Sequence, residues 1–82
     1  MVKYAIRITE SNADPLYAKG TSWREQLVYD SLGRPQLTRS VFDAWETPNI
    51  VSALTAWGEV VDALGYGFFG DVTIIEWDAP HI

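Results

Sequence analysis

The stretch from Thr47 to Gly65 constrains the fold more than any other part of this 82-residue chain. Five large apolar residues recur there at steps of four, three, four and three: Ile50, Leu54, Trp57, Val61 and Leu64. This spacing places them along one stripe of an α-helix, with polar residues on the other side. Thr47 is suited to the N-cap, Pro48 to the first turn and Gly65 to the left-handed position after the last turn. We therefore predict a helix over about 48–64 whose apolar stripe is buried.

Three further segments have the pattern of β-strands. Apolar and polar residues alternate from Val2 to Thr9, which predicts a strand at about 2–9. The run VTIIEW predicts a last strand at about 71–77, and LYAK, ended by a glycine, predicts a short one at about 15–19. We expect the last strand to pair with the first in parallel, because a helix of this length can provide the crossover.

Residues 21–34 are compatible with two structures. Ser22 and Glu25 have the spacing of a capping box, which indicates a short helix ending at Gly33. Two strands at about 26–30 and 36–41, joined by a turn, are the alternative. The segment VYDSLGRPQLTRSV resembles one copy of the YD repeat, whose Tyr-Asp-x-x-Gly-Arg core forms a strand, a turn and a strand. The resemblance favours the hairpin.

Together these elements predict a single α+β domain over 1–82. One helix, at about 48–64, packs on one face of a mainly antiparallel sheet of four to five strands. Those strands are expected at about 2–9, 15–19, 26–30, 36–41 and 71–77. In the last strand Val72 and Ile74 point one way, while Ile75 and Trp77 point the other. Apolar residues therefore lie on both of its faces, and the open face is a candidate interface.

Charge is distributed unevenly along the chain. Residues 1–41 hold all six basic residues and four acids, for a net charge of +2, whereas residues 42–82 hold seven acids and no base, for −7. Such asymmetry indicates a strongly negative side, which either keeps the protein soluble or docks on a basic partner. The candidate partner-binding residues are the helix acids Glu59 and Asp62, the rim acids Asp43, Glu46 and Asp71, and the apolar Ile75 and Trp77.

The residues for most catalytic or cofactor chemistry are missing. The chain has no cysteine and one histidine, His81, so no thiolate or imidazole metal site is indicated. Gly65, Gly67 and Gly70 follow the predicted helix, whereas phosphate loops open one. The six basic residues form no stripe that would bind nucleic acid directly. No signal peptide or membrane-spanning run is recognisable, so we expect a cytoplasmic, non-enzymatic protein without metal or cofactor.

The order of the segments KYAIRIT, the hairpin region, TPNIVSALTAWGEVVDALG and DVTIIEW suggests a family. In general organisation the chain resembles small accessory proteins of bacteriophages and prophages, including inhibitors of host defence such as anti-CRISPR proteins. The resemblance implies a binder that blocks a host nucleoprotein complex in the host cytoplasm. Its acidic half would then imitate the charge of phosphates.

Two hypotheses follow. In the first, Glu59 and Asp62 meet a basic partner surface, so that binding weakens as salt rises and Glu59→Lys with Asp62→Lys abolishes it. In the second, the protein is a self-associating structural or virion accessory module, such as a homodimer, that uses Ile75 and Trp77 on the last strand.

Overall fold

The fold is a four-stranded antiparallel sheet with one α-helix packed on one face, in a computed structural model that describes residues 2–65 and 67–78. The elements in chain order are β1 (Lys3–Glu10), β2 (Leu16–Ala18), β3 (Leu37–Thr38), α1 (Ile50–Leu64) and β4 (Gly70–Trp77). The strand order is β3-β2-β1-β4. The predicted α+β class is therefore confirmed. The strand predicted at 26–30 is reduced to isolated bridges, and the one at 36–41 to the two residues of β3.

β4 pairs with β1 over its full length, from Trp77 opposite Lys3 to Gly70 opposite Glu10, and the pairing is antiparallel. The predicted parallel pairing is wrong. Before the helix begins, the chain returns to the start of β1, where Thr47 and Tyr4 exchange two backbone hydrogen bonds of 2.8 and 3.0 Å. α1 consequently starts beside the beginning of β1, and the short connection after it sends β4 back in the opposite direction.

Residues 21–34 form turns and contain no helix. The N–H of Thr21 donates to the carbonyl of Gln26 at 2.9 Å, which closes a tight loop. Within this loop Arg24 has a φ of 64°, a left-handed conformation that interrupts an α-helix. The helix alternative fails because the Arg24 side chain turns inward to the buried Glu46. A tertiary contact thus overrides the capping-box pattern.

The turn at Asp30–Gly33 gives a physical reason for the Tyr-Asp-x-x-Gly-Arg sequence. One carboxylate oxygen of Asp30 accepts the N–H of Arg34 at 3.0 Å, and the other accepts its Nε at 3.2 Å. Gly33 has a φ of 78°, which favours glycine. The N–H of Asp30 donates to the carbonyl of Arg34 and the N–H of Gly33 to the carbonyl of Asp30, and the bridge between Tyr29 and Pro35 completes the hairpin. The hairpin alternative is therefore the correct one, although its strands are shorter than expected.

The helix begins later than predicted. Its N-cap is Asn49, whose Oδ1 accepts the N–H of Val51 at 2.8 Å. Thr47 is not the cap, because its backbone is bonded to Tyr4 and its hydroxyl accepts the N–H of Asn49 at 3.2 Å. The predicted end is confirmed: Gly65 has a φ of 73° and its N–H donates to the helix.

The helix presents small residues to the sheet. Ala53, Ala56 and Val60 are buried, and Ala56 and Val60 pack in one core with Ile6 and Ile8 of β1. Three residues of the predicted stripe are instead exposed: Ile50 by 44%, Leu54 by 54% and Trp57 by 38%. The prediction that this stripe is buried is therefore wrong at these three positions, whereas Leu64 at its end does pack against the core. Small side chains let the helix lie close to the sheet, and the large ones are left at its side.

The structure shows which face of β4 packs against the helix. Val72 and Ile74 pack against the core beneath the helix. Ile75 and Trp77 lie on the opposite face, where the rings of Trp77 and Tyr17 are 5.4 Å apart. Both Ile75 and Trp77 are partly buried. The second face is thus partly covered by its own aromatic side chains.

Candidate protein-binding surface

One side of α1 carries a line of large apolar side chains, Ile50, Leu54, Trp57 and Val61, which we call the apolar flank. Steps of four, three and four residues keep them on one side of the helix. This side faces the outer edge of the sheet, because the indole Nε1 of Trp57 donates to the carbonyl of Val72 in β4 at 2.8 Å. Trp57 and Val61 also line a groove of about 240 Å³ with Val72. The apolar flank therefore overhangs β4.

β4 is an edge strand of the described sheet, and its outward backbone groups can be identified. Tyr4 exchanges both of its backbone bonds with Thr47, so the pair between Tyr4 and Glu76 is the type without backbone bonds. The N–H and C=O of Glu76 therefore point away from β1. By the alternation of a strand, those of Ile74 and Val72 do as well. Trp57 caps the carbonyl of Val72, and among the described residues no backbone group outside β4 bonds to Ile74 or Glu76.

One more apolar residue, Phe69, is exposed beside β4, whereas Val51 lies on the other side of α1. Val51 is 66% exposed and lines a groove of about 480 Å³ with Tyr29 and Glu59. Phe69, immediately before β4, is 92% exposed. Soluble monomeric proteins rarely expose contiguous apolar patches, so a surface of this kind indicates a site of interaction.

The opposite side of α1 is polar and faces the 21–34 segment. The hydroxyl of Tyr29 donates to Oε2 of Glu59 at 2.8 Å. Glu59 and Asp62 line a groove of about 370 Å³ together with Arg34. The structure thus brings the two predicted helix acids together, but on the side of the helix away from the apolar flank and next to a cation.

The bond from Tyr29 has a consequence for its titration. The Glu59 carboxylate accepts a hydrogen bond from the protonated phenol, and this bond raises the pKa of Tyr29 above its ordinary value of 10.0. The neutral phenol is therefore favoured by folding, and its contribution to stability is present below about pH 10 and is lost as the pH rises through the raised pKa. We expect Glu59→Gln to move the pKa of Tyr29 back toward 10, measured from the ¹³C shift of its ring. The matched change Asp62→Asn should leave that pKa raised, and an equal effect of both changes would contradict this assignment.

Glu46 was predicted as a rim acid, and this is wrong, because its side chain is only 3% exposed. Its Oε2 lies 3.4 Å from Nη2 of Arg24 and accepts Nε1 of Trp77 at 3.2 Å. Its Oε1 lies 3.4 Å from Nζ of Lys3. Glu46 therefore joins the loop at Arg24 to the central strand β1 and the edge strand β4, and it is a structural residue rather than part of a docking surface.

The other two rim acids lie far apart in the fold. Asp43 is exposed in the loop that bonds through its carbonyl to the N–H of Gly20, just after β2. Asp71 is exposed near the start of β4, on the other side of β1. The five predicted carboxylates consequently do not form one continuous surface.

Sequence reasoning found the residues of the apolar flank but placed them in the core. A second line of apolar residues at helical spacing is also present: Ala53, Ala56 and Val60. Either line could face the sheet, depending on how the helix is rotated about its axis. The free edge of β4 could not be found in this way, because strand order depends on pairing between distant segments.

Within residues 2–65 and 67–78, no group of three or more His, Cys, Asp or Glu side chains is arranged to hold a metal ion. The same residues include no helix with the length and hydrophobicity that crossing a bilayer requires. His81 and Tyr66 lie outside the described residues.

Compared with protein-family models, curated proteins and solved structures, the chain matches none. The resemblances to the YD repeat and to small phage accessory proteins therefore stay predictions, as does a cytoplasmic location. The apolar flank and the edge of β4 are the features of the molecule that indicate a function.

Proposed function

We propose that this protein is a protein-binding module that docks on its partner through the apolar flank of α1. The observation that carries the proposal is the exposure of Ile50, Leu54 and Trp57 on a helix that buries alanines instead. Full burial of one such side chain stabilises by about 1.5–3 kcal/mol, so roughly half of that remains available at each site. Trp57 is of the residue type most favoured at the centre of interfaces.

The charges near the apolar flank favour a basic partner. Glu76 and Asp71 are exposed on β4, and residues 42–82 contain no lysine or arginine. Carboxylates around an apolar patch raise the rate of encounter with cations and disfavour acidic partners. A role as an inhibitor of a host nucleoprotein complex is one form that such a binder takes, and it stays a prediction from the resemblance.

Capture of a partner from an extract of the source cell tests the proposal, provided that matched variants are compared. Leu54→Glu places a charge in the apolar flank, and we expect it to reduce capture about tenfold or more, because the charge would have to be buried. Thr55→Glu adds the same charge at the next position, on the polar side of the helix, and should leave capture unchanged. Thermal unfolding checks that both variants are folded.

The outcome that would overturn the proposal is equally specific. If Leu54→Glu captures the partner as well as the wild type does, while Glu59→Lys with Asp62→Lys abolishes capture, the polar side of α1 is the docking surface. Self-association through Ile75 and Trp77 is less well supported, because Trp77 is already bonded to Glu46 and packed against Tyr17.

A further inference from the structure

We propose that the free edge of β4 accepts an extended basic segment of the partner as a fifth strand, antiparallel to β4. The inference rests on the proposed function and deepens it by naming the chemistry of the partner. The segment would carry a lysine or arginine opposite Glu76 and an apolar residue opposite Ile74, with one residue between them.

The backbone of β4 defines the extended shape of the occupant. Ile74 and Glu76 direct two N–H and two C=O groups outward, and no described residue bonds to them. Natural proteins usually protect such an edge by a bulge, a proline or a covering segment. Here the Trp57 indole is bonded to the carbonyl of Val72, and the outward groups of Ile74 and Glu76 are left available. An added strand satisfies these groups by main-chain hydrogen bonds, whatever its sequence.

The apolar flank lies above the same edge and defines one side chain of the segment. α1 starts near Tyr4, whose strand partner is Glu76, and Trp57 reaches Val72. The seven-residue step from Trp57 back to Ile50 spans about 10 Å of helix, and the four-residue step from Val72 to Glu76 spans about 13 Å of strand. A residue paired with Ile74 therefore points to the helix side, toward Leu54, and should be apolar.

The charges of β4 define the second side chain. The exposed ionisable residues of β4 and the position after it are Asp71, Glu76 and Asp78, all of them acidic. Glu76 points to the same side as Ile74, so a lysine or arginine opposite it forms a cross-strand ion pair. A second copy of this protein would place three more carboxylates at the same edge and supply no cation from its own β4, so a basic segment is the better occupant.

The probe for the test is a blocked octapeptide, Lys-Thr-Val-Thr-Lys-Thr-Val-Thr, titrated into ¹⁵N-labelled protein and followed by NMR. We expect saturable shifts at the amides of Ile74 and Glu76. N-methylation of both valines removes donors that face β4 and should weaken binding about tenfold, whereas N-methylation of two threonines should have little effect. The acidic analogue with glutamates in place of the lysines should bind about tenfold more weakly.

Variants of the protein provide the matched comparison. Glu76→Pro removes the outward N–H without breaking a bond to β1, and a proline is tolerated on an edge strand. It should weaken binding more than Glu76→Gln, which removes only the charge. Equal affinity for all the methylated peptides, or for the acidic analogue, would overturn the proposal.

Sedimentation equilibrium tests the other possible occupant of this edge, a second copy of the protein. A wild-type dimer that Glu76→Pro converts to a monomer would show that a second copy occupies the edge, and the basic segment would be wrong. If the octapeptide does not bind but capture of the cellular partner still depends on Leu54, strand addition fails while the proposed function stands.

Discussion

Replacing Glu46 with alanine is expected to destabilise the fold by about 3–5 kcal/mol, the usual loss when one partner of a buried ion pair is removed. The guanidinium of Arg24, whose side chain is only 10% exposed, would lose the Glu46 carboxylate that lies 3.4 Å from its Nη2. The same change removes the acceptor of the Trp77 indole N–H and of the Lys3 ammonium. A domain of this size has a total stability of about 5–10 kcal/mol, so much of it would be lost.

Urea denaturation followed by tryptophan fluorescence measures this effect. Glu46→Gln keeps the shape of the side chain and removes its charge. We expect it to lower the free energy of unfolding, but by less than Glu46→Ala does. The exposed Asp43, three residues earlier, is the matched control, and Asp43→Ala should change the free energy of unfolding by less than about 0.5 kcal/mol. Similar small effects at both positions would show that the ion cluster at Glu46 is not structural.

Replacing Gly20 with alanine should have the next largest effect, a loss of about 2–3 kcal/mol. A Cβ atom at this position would lie 2.9 Å from the Cα atoms of both Arg24 and Trp45. Both contacts are to backbone, so no side-chain rotation can relieve them. The close approach exists because the chain after β2, the loop at Arg24 and the segment at Trp45 are tied together by backbone hydrogen bonds.

The same substitution at Gly58 should have the opposite sign. Nothing lies within 4 Å of a Cβ built on Gly58, and its helical backbone suits alanine. Gly58→Ala should therefore raise the free energy of unfolding by about 0.5–1 kcal/mol. The two variants can be compared in one set of urea titrations, and an equal response at both glycines would contradict the packing described around Gly20.

Local patterns were sufficient for several of the elements but not for their arrangement. The alternation in β1, the glycine after α1 and the Asp30–Gly33 turn all depend on neighbours in sequence, and the structure has them where they were predicted. The direction of β4 depends on the position of the chain just before α1, which is fixed by the two backbone hydrogen bonds between Thr47 and Tyr4. No periodicity in the sequence contains that information.

The rotation of the helix and the role of Glu46 were missed for a similar reason. Large apolar residues were assumed to be buried, but the sheet receives the line of small residues around Ala56. The acid at position 46 looked like part of a negative surface, yet its partners, Lys3 and Arg24, lie in the first half of the chain. Net charge along a sequence therefore did not give the charge distribution on the folded surface.

Amide hydrogen exchange of the protein, free and bound to the partner that it captures, tests the central claim most directly. Docking on the apolar flank and on the edge of β4 predicts slower exchange at Ile74 and Glu76, with no change around Tyr29 and Arg34. Protection confined to the Tyr29–Arg34 turn and the Glu59 side of α1, with Ile74 and Glu76 exchanging as in the free protein, would contradict it.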